Sequence, residues 1–206
     1  MRILVFSDSL SLPRSQPETC LHEQTWPQLL RKKGHEVCLS AIGGATVRDL
    51  LKQTFYFQDR RYFDMVIVQC GIVDCAPRFA KRWELKILQS LGKFGSWGMK
   101  LLNRKSIRNL RKLTYTSEKN YRAGIQRLEN AFDAPVVFVE ILPASSSYET
   151  QLPGVSKNIE AFNTILRSHR HISMKDIPTN GIMSDHHHLS AEGHAYLADR
   201  ILNQLP

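Results

Sequence analysis

Along the chain, apolar residues gather into five runs with strand character: RILVF (2–6), EVCLSAI (36–42), MVIVQC (65–70), PVVFVEIL (135–142) and, more weakly, HISMKDI (171–177). The first, third and fourth are nearly continuous in Val, Ile, Leu and Phe, the pattern of strands buried on both faces of a parallel sheet. Between the runs, apolar residues recur at helical spacing over about 22–33, 46–54, 117–131, 156–169 and 190–204. This alternation predicts an α/β three-layer sandwich around a central, mostly parallel five-stranded sheet. Ligands of such sheets bind beyond the carboxyl ends of the strands, near the point where strand order reverses. The loops after the strands read SDSLSLPR, GGATVRD, GIVDCAPR, PASSSYETQLPG and IMSDHHHLS, and all five are rich in glycine or polar residues.

One segment breaks the alternation. Residues 79–116 follow the third run, with Trp83, Ile87, Leu88 and Leu91 at helical spacing. Met99, Leu101, Leu102, Ile107 and Leu110 follow it more loosely, and Gly92, Gly95 and Gly98 interrupt the middle. The pattern predicts a helix–turn–helix insertion above the sheet. The rest of the 206 residues reads as one domain, with no internal repeat.

Charge sharpens the picture of that insertion. Residues 81–112 carry ten basic residues against Glu84 alone, which equals the whole net charge of +9; outside them, eighteen basic residues balance eighteen acidic ones. The basicity therefore belongs to a module. Three readings fit it: a solvated helical face, a cap that attracts an anionic substrate to the site, or, with Trp83, Phe94 and Trp97 among the lysines, peripheral contact with an anionic membrane. No nucleic-acid partner is expected, because no recognised binding motif accompanies the charge. The four cysteines (Cys20, Cys38, Cys70, Cys75) fit no zinc spacing, and the first ten residues hold too short an apolar run for a signal core. Reduced thiols and a cytoplasmic location, compatible with attachment to the inner membrane face, are the expectation.

Two loops carry candidate chemistry. Ser9 lies three residues past the first run, on a turn where backbone N–H groups favour a developing negative charge. Asp185 and His188 are separated by two residues, so a single turn lets the carboxylate orient the imidazole. A histidine so held takes a proton from a serine hydroxyl and returns it to a leaving group. Ser190 is placed to cap the helix that follows. His186 and His187 would flank the site, and His194 falls on that helix as a packing or surface residue. Adjacent histidines point in different directions on a regular backbone, so no metal site is expected.

In that order and placement, four short blocks resemble the SGNH hydrolases, also called GDSL esterases and lipases. SDSL (7–10) resembles the block that carries the nucleophile and implies Ser9; GGAT (43–46) resembles the glycine block and implies an oxyanion hole built from the Ser9 and Gly44 amides. GIVD (71–74) resembles the third block, and DHHHLS (185–190) resembles the Asp-x-x-His block and implies Asp185 and His188. The fold implied is flavodoxin-like. Two positions depart from the pattern: Ser7 stands where the family usually has glycine, and Val73 where it usually has an oxyanion-donating asparagine. Losing such a donor typically costs on the order of 3 kcal/mol in the transition state. Arg78 and then Arg14 are the candidate substitutes, or else hold an anionic group of the substrate; Asp74 is a third candidate for substrate contact.

The resemblance implies a serine esterase with no cofactor, acting on an acyl or acetyl ester of a glycan or lipid-linked substrate. An acyltransferase would use the same acyl-enzyme. The missing asparagine instead favours a non-catalytic domain that binds an anionic glycan or a membrane surface.

Overall fold

A computed structural model of the chain describes residues 1–57, 59, 61–92, 98, 102–111 and 113–205. The strands are β1 (Arg2–Ser7), β2 (Glu36–Ala41), β3 (Met65–Gln69), β4 (Val136–Val139) and β5 (His171–Ile172), paired in the order β2-β1-β3-β4-β5. Every pairing is parallel. The register sets Leu4 beside both Cys38 and Val66, and Val66 beside Val136. All five residues of β3 and all four of β4 are buried, which is why their sequences show no polar alternation. β2 and β5 are the edges, and in β2 only Val37 is buried.

The helices among the described residues are α1 (Trp26–Lys32), α2 (Val47–Gln53), α3 (Ile72–Cys75), α4 (Arg82–Ser90), α5 (Lys105–Arg111), α6 (Glu118–Glu129), α7 (Ser146–Gln151), α8 (Val155–Leu166) and α9 (Ala191–Leu202). Ser117, Ser145 and Ser190 cap α6, α7 and α9 through their hydroxyls, each accepting an N–H of the first turn. None of these helices is long and apolar enough to cross a membrane.

Several boundaries differ from the sequence expectation. The run 22–33 splits into a 3₁₀ turn at His22–Gln24 and α1, with Pro27 in the first turn of the helix. The run 171–177 leaves the sheet after Ile172, because the buried Glu140 carboxylate accepts from Ser173 Oγ (3.1 Å) and the Met174 N–H (3.2 Å). The stretch PASSSYETQLPG, expected as a loop, contains α7. The insertion holds α4 and α5; the expectations placed on Phe94, Gly95, Trp97, Met99 and Leu101 lie outside the described residues.

The strand order reverses between β2-β1 and β3-β4-β5, so the carboxyl ends of β1 and β3 flank the switch point. Gly71, just past β3, is held at φ +136°, and a Cβ there would lie 2.5 Å from Ile141 Cδ1 and 2.8 Å from the Tyr121 hydroxyl. No other residue fits that approach, so the third loop turns sharply at the sheet edge.

Candidate active site

Ser9 stands two residues beyond β1, as the first residue of a 3₁₀ turn (Ser9–Ser11) that Asp8 caps by accepting the Leu10 N–H at 3.0 Å. Its Oγ lies 2.9 Å from His188 Nε2. His188 Nδ1 donates to Asp185 Oδ2 at 2.6 Å, and Asp185 Oδ1 accepts the backbone N–H of His188 (3.0 Å) and of His187 (3.2 Å). One carboxylate thus closes the turn and fixes the tautomer: with Nδ1 protonated, Nε2 is a bare acceptor for the Ser9 proton. Burial alone would raise the Asp185 carboxyl, but the His188 hydrogen bond, the charges of His187 and His188 and the His187 N–H together hold it well below the usual carboxylate range.

The histidine turn is braced on both sides. Beneath it, Met183 N–H bonds the His188 carbonyl (2.8 Å) and Ile182 bridges Leu189. Above it, buried Tyr148 of α7 stacks on His187, with centroids 6.0 Å apart and planes at 15°. His186 takes a left-handed φ of 68°, rare for a non-glycine residue, and is held there by Gln151 Nε2, which donates to its Nε2 at 3.1 Å. His187 donates from Nδ1 to the Asp185 carbonyl at 2.7 Å, and burial, then the charge of His188, pushes its pKa down. Asp185, His187 and His188 bring ligand-type atoms within 4.8 Å of one another. Those atoms are engaged in hydrogen bonds within the turn, so they do not form an open ligand set. His194 is a packing residue: it is buried, its Nδ1 accepts the Trp26 N–H at 3.2 Å, and burial, then Arg14, lowers its pKa to about 4.

Gly44 sits at φ +73° on the exposed glycine loop, and among the described residues nothing accepts its N–H. Arg82 of α4 staples this loop: Nη2 donates to the Gly44 carbonyl at 3.2 Å, and Nη1 reaches Asp49 Oδ2 of α2 at 2.8 Å. The basic insertion is therefore tied to the glycine block. Val73 is half-buried against the core and brings no polar side chain to its position.

The structure redistributes the three substrate-contact candidates. Asp74 is fully buried, not at a substrate surface: its oxygens accept the Val47 N–H at 3.2 and 3.1 Å and the Thr116 hydroxyl at 2.5 Å. It clamps the start of α2 to the segment before α6, and burial, against those hydrogen bonds, raises its pKa to about 6. Arg14 turns toward the acid, with Nη1 at 3.9 Å from Asp185 Oδ2 and 3.2 Å from the Gln16 carbonyl. Arg78 donates from Nη2 to the Val73 carbonyl (3.2 Å) and lies 4.5 Å over the Tyr115 ring. Sequence reasoning missed Tyr148, Arg82 and the burial of Asp8. The cap signal Ser145 ahead of Tyr148 and Glu149 is the one trace of the first; the other two depend on tertiary contact.

Asp8 is fully buried, and its Oδ2 has no hydrogen-bond partner among the described residues. Burial, opposed by the Leu10 N–H and reinforced by Asp74, raises its pKa to about 7.

No protein-family model matches the chain, and no curated protein does. Solved structures do. A lipase/acylhydrolase from Enterococcus faecalis is similar at a TM-score of 0.66 and 14% identity, over 98% of this chain and 94% of that one. An acetyl xylan esterase variant from Geobacillus stearothermophilus is similar at 0.60 and 15%, over 98% and 93%. A member of the lipolytic G-D-S-L family from Veillonella parvula is similar at 0.60 and 12%, over 99% and 97%. The chain has the fold of the GDSL esterases and acylhydrolases along its whole length.

Proposed function

We propose that this chain is a serine ester hydrolase of the SGNH type, cleaving an acyl or acetyl ester through an acyl-enzyme on Ser9. One observation carries the reading: the continuous relay from Ser9 Oγ to His188 Nε2 (2.9 Å) and from His188 Nδ1 to Asp185 (2.6 Å), at the sheet's switch point. Ser9 Oγ attacks the acyl carbon while His188 Nε2 takes its proton. The oxyanion is received by the N–H groups of Ser9 and Gly44. His188 then hands the proton to the departing alcohol, leaving the acyl group on Ser9. Water attacks that ester while His188 takes a proton from it, and collapse expels Ser9 Oγ, which takes that proton back from His188 as the carboxylic acid leaves. A sugar alcohol as acceptor in place of water would make the same cycle an acyl transfer.

A glycan substrate is supported by the neighbours named acetyl xylan esterases. Membrane contact has its own support: Trp83, Ile87 and Leu91 lie at successive fourth positions along α4 and its end, each more than half exposed, beside Lys81, Arg82 and Lys86. Acetate release from acetylated xylan oligomers, wild type against His188→Ala, tests the reading. Turnover abolished by the substitution is expected; equal release by both proteins would sink it.

A further inference from the structure

Two hydrogen bonds hold the His188 imidazole: Nδ1–H donates to Asp185 Oδ2 at 2.6 Å, and Nε2 accepts from the Ser9 hydroxyl at 2.9 Å. Bonds made by ring nitrogens lie near the plane of the ring. They resist sliding within that plane but oppose a tilt out of it only weakly, because a hydrogen bond tolerates moderate bending. A contact on the face of the ring resists the tilt. His187 supplies one: its ring centroid lies 4.2 Å from that of His188, with the planes at 44°. That separation is too short for two rings lying side by side, so His187 leans on the face of His188.

His187 is itself fixed. Its Nδ1–H donates to the Asp185 carbonyl at 2.7 Å and its backbone N–H to Asp185 Oδ1 at 3.2 Å. Buried Tyr148 stacks on its ring with the planes at 15°. Tyr148 is held in turn by its N–H on the Ser145 hydroxyl, 3.1 Å, at the start of α7. Ring contacts therefore run from α7 through His187 to His188. The catalytic cycle makes unequal use of them. Before acylation, His188 has both of its hydrogen bonds. In the acyl-enzyme, Ser9 Oγ is esterified and has no proton to donate. The imidazole then keeps only the Asp185 bond while it aims Nε2 at a water.

We propose that His187 is a positioning residue for deacylation, its ring holding the plane of the His188 imidazole once the Ser9 bond is lost. This rests on the ester-hydrolase reading and assigns that reaction a further residue, one that acts through shape and not through its own proton. Two substitutions separate the ring from the hydrogen bond. His187→Phe keeps a ring and drops the Nδ1 donor; with 34% of the side chain exposed, the larger ring has room. His187→Asn sets an amide N–H near the Nδ1 position, which retains a donor for the Asp185 carbonyl, and drops the ring.

The test is stopped-flow hydrolysis of 4-nitrophenyl acetate by the full-length proteins. With so good a leaving group, a burst of 4-nitrophenol marks the acyl-enzyme and kcat follows deacylation, whereas kcat/KM reports acylation. His187→Asn should lower kcat about tenfold or more, and kcat/KM by less than about threefold, since a misplaced catalytic group costs up to about 10²-fold. His187→Phe should recover most of the kcat lost in His187→Asn. Wild-type kcat in His187→Asn, a His187→Phe protein as slow as His187→Asn, or equal loss of kcat and kcat/KM overturns the assignment. The NMR resonance of the His188 Nδ1–H follows the ring without turnover. It should be sharp in wild type and His187→Phe and broadened in His187→Asn; the same line in all three also overturns the brace. A wild type inert toward esters would sink the hydrolase reading, and that resonance would still decide whether His187 holds the ring.

Discussion

Replacing Asp185 by Asn isolates what the carboxylate does for catalysis from what it does for the fold. The side chain now accepts three N–H groups: two backbone donors on Oδ1, at 3.0 and 3.2 Å, and His188 Nδ1 on Oδ2, at 2.6 Å. Asn keeps an oxygen for the backbone pair, so the turn survives. The Oδ2 position becomes an NH2 group, which cannot accept from Nδ1–H. The imidazole must shift its proton to Nε2, which then faces Ser9 Oγ as a donor and can no longer take the hydroxyl proton. In serine triads the wrong tautomer lowers kcat by about 10⁴, or roughly 5.4 kcal/mol of transition-state stabilisation. The fold loses one charge-assisted hydrogen bond, on the order of 1–3 kcal/mol. Asp185→Ala should match that loss of rate but melt lower, because it also strips the acceptor from the His187 and His188 backbone N–H groups. Steady-state hydrolysis of 4-nitrophenyl acetate, paired with thermal unfolding, reads both effects. A folded Asp185→Asn protein within tenfold of wild-type kcat would refute the relay.

Three further outcomes follow from neighbouring groups. Asp8, raised to about 7 by burial, binds a proton in the folded protein that the unfolded chain has already released above about pH 4. It therefore lowers stability as pH rises from about 4 to 7, by at most about 1.4 kcal/mol per pH unit. Asp8→Asn should gain on wild type in urea midpoint between pH 5 and 8; a pH-independent difference contradicts the assignment. Arg82→Ala frees the Gly44 loop and should reduce kcat about tenfold with little change in KM, since the oxyanion donor acts in the transition state; a rise in KM alone would count against it. Gly71→Ala forces a Cβ to within 2.5 Å of Ile141 at a left-handed φ, and should destabilise by about 2–4 kcal/mol, lowering Tm by roughly 5–15 °C. An unchanged melting curve would contradict the packing at that turn.

What could be read from the chain was whatever local pattern determines. β1, β3 and β4 announce themselves because both faces are buried, so no polar residue interrupts them. Asp185 and His188 are legible because one turn suffices to join them, and Ser9 because it sits beyond the first strand. α3 and α7, at four and six residues, are too short to show a period. The end of β5 was hidden because Glu140, thirty-odd positions upstream, captures the chain. Asp74 in GIVD reads as a substrate contact; only the arrival of the α2 N-terminus and Thr116 turns it into a buried clamp. The contrast between Arg82, paired with Asp49, and Arg78, left unpaired, is likewise invisible until the insertion is folded over the third loop.

The proposed catalysis requires an activated Ser9 nucleophile. Fluorophosphonate labelling of purified wild type, with Ser9→Ala and His188→Ala alongside, measures that activation directly and needs no knowledge of the substrate. Rapid labelling of wild type is expected, with none at this site in Ser9→Ala and a fall of about 10³-fold or more in His188→Ala. Wild type labelling no faster than Ser9→Ala would contradict it.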